Sequence, residues 1–136
     1  MNPITILFVD DHPLIRKAWS FLLKQDSRFK TIGECESGER AIELTHQLCP
    51  DIVIMDIRLQ GMSGIEATRR IHKSCPKAKV IGLSFHSLPE NVQEILQCGA
   101  RGYLTKFSPP EEIFRAIIEV HRGNSYICED MADKLN

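Results

Sequence analysis

The feature that most constrains the fold of this chain is a regular alternation of short apolar runs with amphipathic helical periods. Two of the runs, Ile52–Met55 and Val80–Leu83, contain no polar side chain. Such runs are typical of strands that are covered on both faces of a sheet. Strands that alternate with helices pair in parallel through right-handed crossovers. The sequence therefore predicts an α/β chain with helices on both faces of a parallel sheet.

The chain carries five candidate strands and five candidate helices in alternation. The strands are predicted at Thr5–Val9, Lys30–Cys35, Ile52–Met55, Val80–Leu83 and Gly102–Thr105. Apolar residues three and four positions apart predict helices that include Ile15, Ala41, Ile65, Val92 and Ile113.

Residue types that start and stop helices support these boundaries. Pro13 suits the first turn of the first helix, where its missing N–H has no partner to lose. Ser87 and Ser108 each precede a glutamate by three positions, which predicts capping boxes before the fourth and fifth helices. Gly99 and Gly123 stand where a left-handed residue ends a helix.

Composition narrows the class of protein. With 136 residues, 43% hydrophobic and 26% charged, the chain has the length and composition of one globular domain. Its formal net charge of −1 argues against a module that binds nucleic acid by neutralising phosphates. No apolar run approaches the length that spans a membrane.

The cysteines indicate the compartment. There are five, an odd number, and none forms a C-x-x-C pair, so neither a disulfide framework nor a thiolate metal site is expected. The amino terminus also lacks the charged lead-in and the cleavage site of a secretory signal. We therefore expect reduced thiols in a cytoplasmic protein without a membrane partner.

Polar residues follow four of the five predicted strands. Asp10 and Asp11 follow the first strand, Asp56 the third, Ser84 the fourth and Lys106 the fifth. The carboxyl ends of parallel strands lie at one edge of a sheet, which is where ligands bind. We therefore expect three carboxylates, a hydroxyl and an ammonium to meet at one rim.

This set of groups suits phosphoryl transfer. Adjacent carboxylates raise one another's pKa unless a counter-charge relieves them, and Mg²⁺ binds one or two carboxylates while keeping several waters. A lysine and a hydroxyl can stabilise the transferred group, and an aspartate can itself form an acyl phosphate. Each residue alone has a simpler explanation: Asp11 as a helix cap, Ser84 as a turn residue and Lys106 as a surface charge. Their coincidence at strand ends favours the functional interpretation.

At this point the sequence resembles the receiver domains of two-component response regulators. The resemblance rests on Leu7–Pro13 (LFVDDHP), Asp51–Asp56 (DIVIMD), Gly61–Gly64 (GMSG), Ser84 and Gly99–Lys106 (GARGYLTK). It covers residues 4–122. The DDHP start, the GARGYLTK run and a tail of the form Gly-x-x-Tyr-Ile are similar to the NarL/FixJ, or LuxR-type, subgroup.

The resemblance implies a fold and a domain organisation. The fold is a flavodoxin-like (βα)5 three-layer sandwich with a five-stranded parallel sheet in the order 2-1-3-4-5. Residues 1–123 form the receiver domain, and residues 124–136 form a tail outside it or the start of a linker. The subgroup implies a LuxR-type helix-turn-helix output for transcription, which this tail is too short to contain. We therefore expect a truncated chain in preference to a natural stand-alone receiver.

The resemblance also implies a role for each rim residue. Asp56 is the phosphoacceptor, which takes the phosphoryl group from a phosphohistidine of a sensor histidine kinase. Asp11, Asp56 and the backbone carbonyl of Arg58 bind Mg²⁺, and Asp10 holds the ion through water. Lys106 neutralises a phosphoryl oxygen. The protein is then no turnover enzyme, but a regulator that assists its own phosphorylation and dephosphorylation.

The same resemblance implies a switch and partners. Ser84 hydrogen-bonds the phosphoryl group, and its movement is coupled to an aromatic residue, Tyr103. The surface around the fourth helix, the fifth strand and the fifth helix then changes its partner preference. A homodimer can follow phosphorylation, and DNA is contacted only through the absent output domain.

Three residues depart from the common receiver pattern. Gln60 replaces a proline in the loop after the phosphoacceptor, so that loop is expected to be less rigid. Phe107 replaces a proline after Lys106, and we expect a trans peptide bond there. Phe85 is bulkier than the usual small residue after Ser84, and we hypothesise that it narrows access to Asp56 for small phosphodonors. His12 is expected to be a surface or cap residue.

Two other classes of function stay open. A small Mg²⁺-dependent phosphatase could use an aspartyl nucleophile, although its commonest signature separates two aspartates by one residue, whereas Asp10 and Asp11 are adjacent. A receiver-like interaction module could work without phosphorylation, but the presence of all five rim residues argues against it.

Overall fold

The computed structural model describes residues 2–85 and 88–135, and its centre is a parallel sheet of six strands. The strands are β1 (Ile4–Val9), β2 (Phe29–Cys35), β3 (Ile52–Asp56), β4 (Lys79–Ser84), β5 (Gly102–Thr105) and β6 (Tyr126–Ile127). The helices are α1 (Pro13–Lys24), α2 (Gly38–Leu48), α3 (Gly64–Ser74), α4 (Pro89–Gln97), α5 (Pro110–His121) and α6 (Glu129–Leu135). None of the described helices is both long and apolar enough to cross a membrane.

The strand order is β2-β1-β3-β4-β5-β6, and every neighbouring pair is parallel. The predicted α/β flavodoxin-like fold and the order 2-1-3-4-5 are therefore confirmed, and the predicted count of five strands is one short. Strand β3 is buried along its whole length because it lies between β1 and β4 and is covered by helices. This explains why its sequence is a continuous apolar run that ends in a single acid.

Aromatic side chains attach two helices to the sheet. The ring of Trp19 in α1 lies 5.4 Å from that of Phe8 in β1, and the ring of Phe114 in α5 stacks 5.3 Å from that of Phe29 in β2. Trp19 is 5% exposed, so its function is to pack in the core. Phe8 precedes Asp10 by two positions, which connects this packing directly to the carboxyl end of β1.

Most helix ends follow the sequence signals. Pro13 begins α1, and Gly99 and Gly123 adopt the left-handed φ angles of 115° and 98° that end α4 and α5. The predicted cap at Ser108 is wrong, because α5 begins with Pro110, which suits the first helical position. The Ser108 hydroxyl instead accepts a hydrogen bond from the backbone N–H of Thr105 at 3.1 Å.

One capping prediction cannot be compared with the structure. Ser87 lies outside the described residues, and Leu88 stands at the start of α4.

The segment predicted as a tail packs onto the sheet. Strand β6 pairs with β5, so that Tyr126 lies opposite Gly102 and Ile127 opposite Tyr103. In the residues that follow, Cys128 is 1% exposed and Met131 is fully buried. The sixth strand and α6 therefore extend the hydrophobic core beyond the five predicted βα units.

Glu112 in α5 connects this segment to the rest of the domain. Its Oε2 atom accepts hydrogen bonds from the Tyr126 hydroxyl at 3.0 Å and from the backbone N–H of Glu129 at 2.9 Å. Partial burial and this carboxylate together raise the pKa of Tyr126 to about 12. One carboxylate therefore fixes both β6 and the first turn of α6.

We predict that Met131 contributes to the stability of the whole domain. Met131→Ala is expected to lower the free energy of unfolding by about 2–5 kcal/mol, because it removes a buried side chain and leaves a cavity. Urea unfolding measures this change. Met131→Leu keeps the volume and should cost less than about 1.5 kcal/mol. Equal stability of Met131→Ala and the unmodified protein would show that α6 is not docked.

Candidate functional site

The carboxyl ends of the four central strands form a rim that carries the residues predicted for phosphoryl chemistry. Asp10 and Asp11 follow β1, Asp56 is the last residue of β3, Ser84 is the last of β4, and Lys106 follows β5. In the sheet these strands are consecutive neighbours in the order β1-β3-β4-β5. The topology thus assembles residues that are spread over most of the sequence.

The centre of the rim is an ion-paired lysine. Nζ of Lys106 lies 2.8 Å from Oδ2 of Asp10 and 3.0 Å from Oδ2 of Asp56. The side chains of all three residues are at most 2% exposed. Burial makes these charges costly unless they are paired, and Lys106 pairs with both carboxylates at once.

The backbone after β3 shapes the position of Asp56. The N–H of Arg58 donates a hydrogen bond to Oδ1 of Asp56 at 2.9 Å, so the two carboxylate oxygens have different partners. Gly64 begins α3, and a side chain there would overlap the carbonyl oxygen of Asp56. Glycine is therefore required for α3 to begin against the candidate phosphoacceptor.

Burial raises the pKa of Asp56 above its ordinary value. The hydrogen bonds from Arg58 and Lys106 act in the opposite direction, and the nearby charge of Asp10 raises the pKa further. Independently of this shift, the carboxylates of Asp10, Asp11 and Asp56 face a single lysine, and this excess of negative charge favours the binding of an additional cation.

The arrangement of oxygen atoms fits such a cation. Ligand atoms of Asp10, Asp11, His12 and Asp56 all lie within 4.8 Å of one another. Oδ2 of Asp10 and Oδ1 of Asp11 are buried, and among the described residues neither accepts a hydrogen bond of acceptable geometry. Asp10 meets Lys106 through an ion contact only. Carboxylate oxygens with spare acceptor capacity are the ligands that Mg²⁺ prefers.

His12 is a member of the cluster that the sequence analysis assigned to the surface or to a cap. It stands at the cap position of α1 and is half-exposed, but its Nδ1 lies 2.9 Å from Oδ1 of Asp10 and 3.1 Å from Oδ1 of Asp11. Nζ of Lys106 lies 3.0 Å from the same nitrogen, so one ring atom of His12 contacts both the acid pair and the lysine. The adjacency of His12 to the acid pair was the available sequence signal.

Ser84 contacts the predicted switch residue. Its Oγ is hydrogen-bonded to the hydroxyl of Tyr103, which lies in the neighbouring strand β5. Tyr103 is fully buried, and this burial raises the pKa of its hydroxyl. Strands β4 and β5 therefore bring together the two residues of the predicted switch.

Aromatic side chains line one side of the rim. The ring centroid of Phe85 lies 4.4 Å from Nζ of Lys106, 5.1 Å from the ring of His12 and 5.7 Å from the ring of Phe107. Phe107 itself is 76% exposed. The Lys106–Phe107 peptide bond is trans, as expected.

Comparison with known proteins identifies the family of this domain. The family model described as the response regulator receiver domain matches residues 6–118. The chain therefore belongs to the response regulator receiver domain family.

Curated relatives extend this assignment to a subgroup. The chain is 36% identical over 132 residues to the response regulator UvrY of Escherichia coli K12 and 35% identical over 132 residues to the response regulator GacA of Pseudomonas aeruginosa. Both matches cover 97% of this chain, but 61% and 62% of the relatives. The chain thus spans about three-fifths of the length of these proteins.

Solved structures agree with this assignment. A LuxR-family two-component response regulator from Aurantimonas sp. SI85-9A1 is 32% identical, with a TM-score of 0.93 over 98% of this chain and 95% of that one. The receiver domain of a NarL protein from Mycobacterium tuberculosis is 30% identical, with a TM-score of 0.87 over 91% of this chain and 100% of that one. The chain is thus a receiver domain of the NarL, or LuxR, type.

We predict that removing the charge of Asp56 stabilises the metal-free protein at neutral pH. Because burial raises the pKa of Asp56 above 3.8, the folded state binds its proton more tightly than the unfolded state. Stability therefore falls as the pH rises from 3.8 through the raised value, and Asp56→Asn avoids this loss. Urea unfolding in the presence of a chelator should give the variant the higher free energy of unfolding at pH 7, with the difference closing in acid.

Asp26 provides a control of opposite sign. A hydrogen bond from Arg28 lowers the pKa of this exposed carboxyl, so Asp26→Asn should lose a little stability at neutral pH. A destabilised Asp56→Asn at pH 7 would mean that its pairing with Lys106 outweighs the cost of burial.

Proposed function

We propose that this domain accepts a phosphoryl group on Asp56 from a phosphohistidine of a sensor histidine kinase and thereby switches an output. The observation that carries the proposal is the buried Lys106 ammonium, which bridges Asp10 and Asp56 beside a buried Asp11 oxygen that accepts no hydrogen bond from the described residues. This arrangement has an excess of negative charge before phosphorylation and a fixed positive charge for the incoming group. It is supported by membership in the receiver family.

Asp56 is the nucleophile in the proposed reaction. One carboxylate oxygen forms a bond to phosphorus while the bond between phosphorus and the donor imidazole nitrogen breaks. The electron pair of that bond returns to the imidazole, and Asp56 becomes an acyl phosphate. Lys106, already 3.0 Å from Asp56, pairs with a phosphoryl oxygen of the product.

The acidic residues would hold a magnesium ion. Asp11, Asp56 and the backbone carbonyl of Arg58 are the proposed direct ligands, and Asp10 acts through a water molecule. A bound Mg²⁺ supplies positive charge to the oxygens of the transferring group. The Arg58 backbone is suitably close, because its N–H contacts Oδ1 of Asp56.

Ser84 and Tyr103 form the proposed switch. A phosphoryl group offers only acceptors, so Ser84 must donate its single proton to it. The hydrogen bond between the two side chains is then donated by Tyr103 to Ser84. Phosphorylation therefore sets the direction of this bond and so links the phosphoryl group to Tyr103, beneath the surface formed by α4, β5 and α5.

In the proposed function the domain is a regulator and not a turnover enzyme, although its rim assists both phosphorylation and dephosphorylation of Asp56. A phosphatase would hydrolyse small phosphoesters repeatedly, whereas the receiver stops at one phosphoryl group per chain. A module that ignores phosphorylation would not bind a phosphoryl mimic at Asp56.

The proposed output lies beyond this domain. The relatives are longer, and a DegU protein of Brevibacillus brevis, 36% identical over 126 residues, is a transcriptional regulatory protein. We place a LuxR-type helix-turn-helix after the tail, so that DNA is contacted only there, and we include dimerisation of the phosphorylated domain. The five free cysteines suit a reducing, cytoplasmic location.

We predict that beryllofluoride, a mimic of the phosphoryl group, binds in the presence of Mg²⁺ and changes the fluorescence of Trp19. This side chain packs on Phe8, two residues before Asp10, so it lies close enough to report on the rim. Amide NMR shifts should change around Ser84 and Tyr103 in the same titration. Asp56→Asn, which removes the acceptor carboxylate, should abolish both responses.

Two results would contradict the proposed function. An unmodified protein that shows no response to beryllofluoride would favour the interaction module. Sustained turnover of small phosphoesters would favour the phosphatase.

We predict that Tyr103→Phe weakens the binding of beryllofluoride about fivefold, as expected for the loss of one hydrogen bond. The binding of Mg²⁺ alone should be unchanged, because the cluster of candidate ligands consists of Asp10, Asp11, His12 and Asp56 and does not include Tyr103. Titrations followed by Trp19 fluorescence measure both affinities. Unchanged beryllofluoride affinity would show that Tyr103 does not assist Ser84.

A further inference from the structure

The Lys106 ammonium is enclosed by groups of different chemistry. Two carboxylates contact it, from Asp10 and Asp56, and the His12 ring lies against it. Another neighbour is the ring of Phe85, whose centroid is 4.4 Å from Nζ. This distance is well within the range of a cation–π interaction, which is strongest when the cation is removed from water.

Removal from water is satisfied here. The Lys106 side chain is 1% exposed, so water cannot replace the attraction of the ring. The lysine side chain is a flexible stem of four carbons, so its ammonium has no fixed position unless partners hold it. The ring therefore restricts where the ammonium can lie.

Phe85 differs from the carboxylate partners in one respect. Phosphorylation converts the Asp56 carboxylate into an acyl phosphate. A cation at the rim would bind the oxygens of Asp10 and Asp11. These partners thus change charge or partner during the reaction. The face of a phenyl ring carries no lone pair for a metal ion to bind, so its attraction for the ammonium persists throughout.

The orientation of the ring is itself fixed. The His12 ring meets Phe85 edge to face at an interplanar angle of 82°, and the Phe107 ring packs beside it. These contacts come from the cap residue of α1 and from the loop after β5, so two separate segments restrict the ring.

We propose that Phe85 is a positioning residue that holds the Lys106 ammonium toward the phosphoryl group on Asp56 through its aromatic face. This inference rests on the proposed phosphoacceptor function. It adds to the hypothesis that Phe85 narrows access to Asp56, because access depends on the bulk of the side chain and positioning depends on its π system.

Two substitutions separate the bulk of the side chain from its aromaticity. Phe85→Leu keeps an apolar side chain of related size but removes the π face. Phe85→Tyr keeps the π face. Phe85 is only partly buried, so both variants are expected to fold, which thermal unfolding checks.

The first measurement needs no phosphoryl mimic. An aromatic face above the ammonium shifts the NMR signals of the Lys106 ε-methylene protons upfield, and the loss of these signals in Lys106→Met assigns them. We expect the upfield shift in the unmodified protein and in Phe85→Tyr, and its loss in Phe85→Leu. Unshifted signals in the unmodified protein would overturn the proposal without any Phe85 variant.

The second measurement is the affinity for beryllofluoride in the presence of Mg²⁺. Phe85→Leu should bind about tenfold more weakly, as a desolvated cation–π contact predicts, and Phe85→Tyr should restore the affinity. Equal affinities of Phe85→Leu and the unmodified protein would overturn the positioning role, as would equal losses in both variants. If the unmodified protein shows the NMR shift but binds no beryllofluoride, the proposed function fails and the contact remains.

Discussion

The structure depends on a cluster of buried charges at the rim, in which the negative charges outnumber the positive one. Asp10, Asp56 and Lys106 are removed from water together, and such a triad contributes little net stability because desolvation offsets the attraction between its members. The hydrophobic core must therefore stabilise the domain, while the rim holds three carboxylates against one lysine. Burial raises the pKa of Asp56, and the charge of Asp10 raises it further. The cation proposed for this site would stabilise the domain by offsetting that charge.

The sheet makes that balance possible by fixing each charge at the end of a rigid element. The strands that precede Asp10 and Asp56 are buried and paired with each other in register, so the two carboxylates have little freedom to separate. Gly64 allows α3 to begin directly against Asp56. The aromatic ring of Phe85 then limits the one long, flexible charge, that of Lys106. Rigid strands and a restrained lysine together give a site that is arranged before its ligand binds.

Hydrophobic periodicity was sufficient to predict the fold and the meeting of Asp56 with Lys106, because the rule that places strand ends at one edge is independent of side-chain detail. It was insufficient for Tyr126–Ile127, since a strand of two residues has no period to detect. His12 and Phe85 were underestimated for another reason. Their contacts depend on the directions of side chains in loops, which local sequence patterns do not encode.

The backbone N–H of Cys128 donates a hydrogen bond to the carbonyl oxygen of Tyr103 at 2.9 Å, so α6 follows directly from a residue bonded to the proposed switch. Coupling free energies between two sites are reciprocal. If phosphorylation alters the affinity of α6 for a partner, then the binding of that partner to α6 alters the affinity of the rim for its phosphoryl group by the same factor. Helix α6 then both responds to phosphorylation and influences it. A partner that binds α6 changes the affinity of the rim from the opposite side of β5.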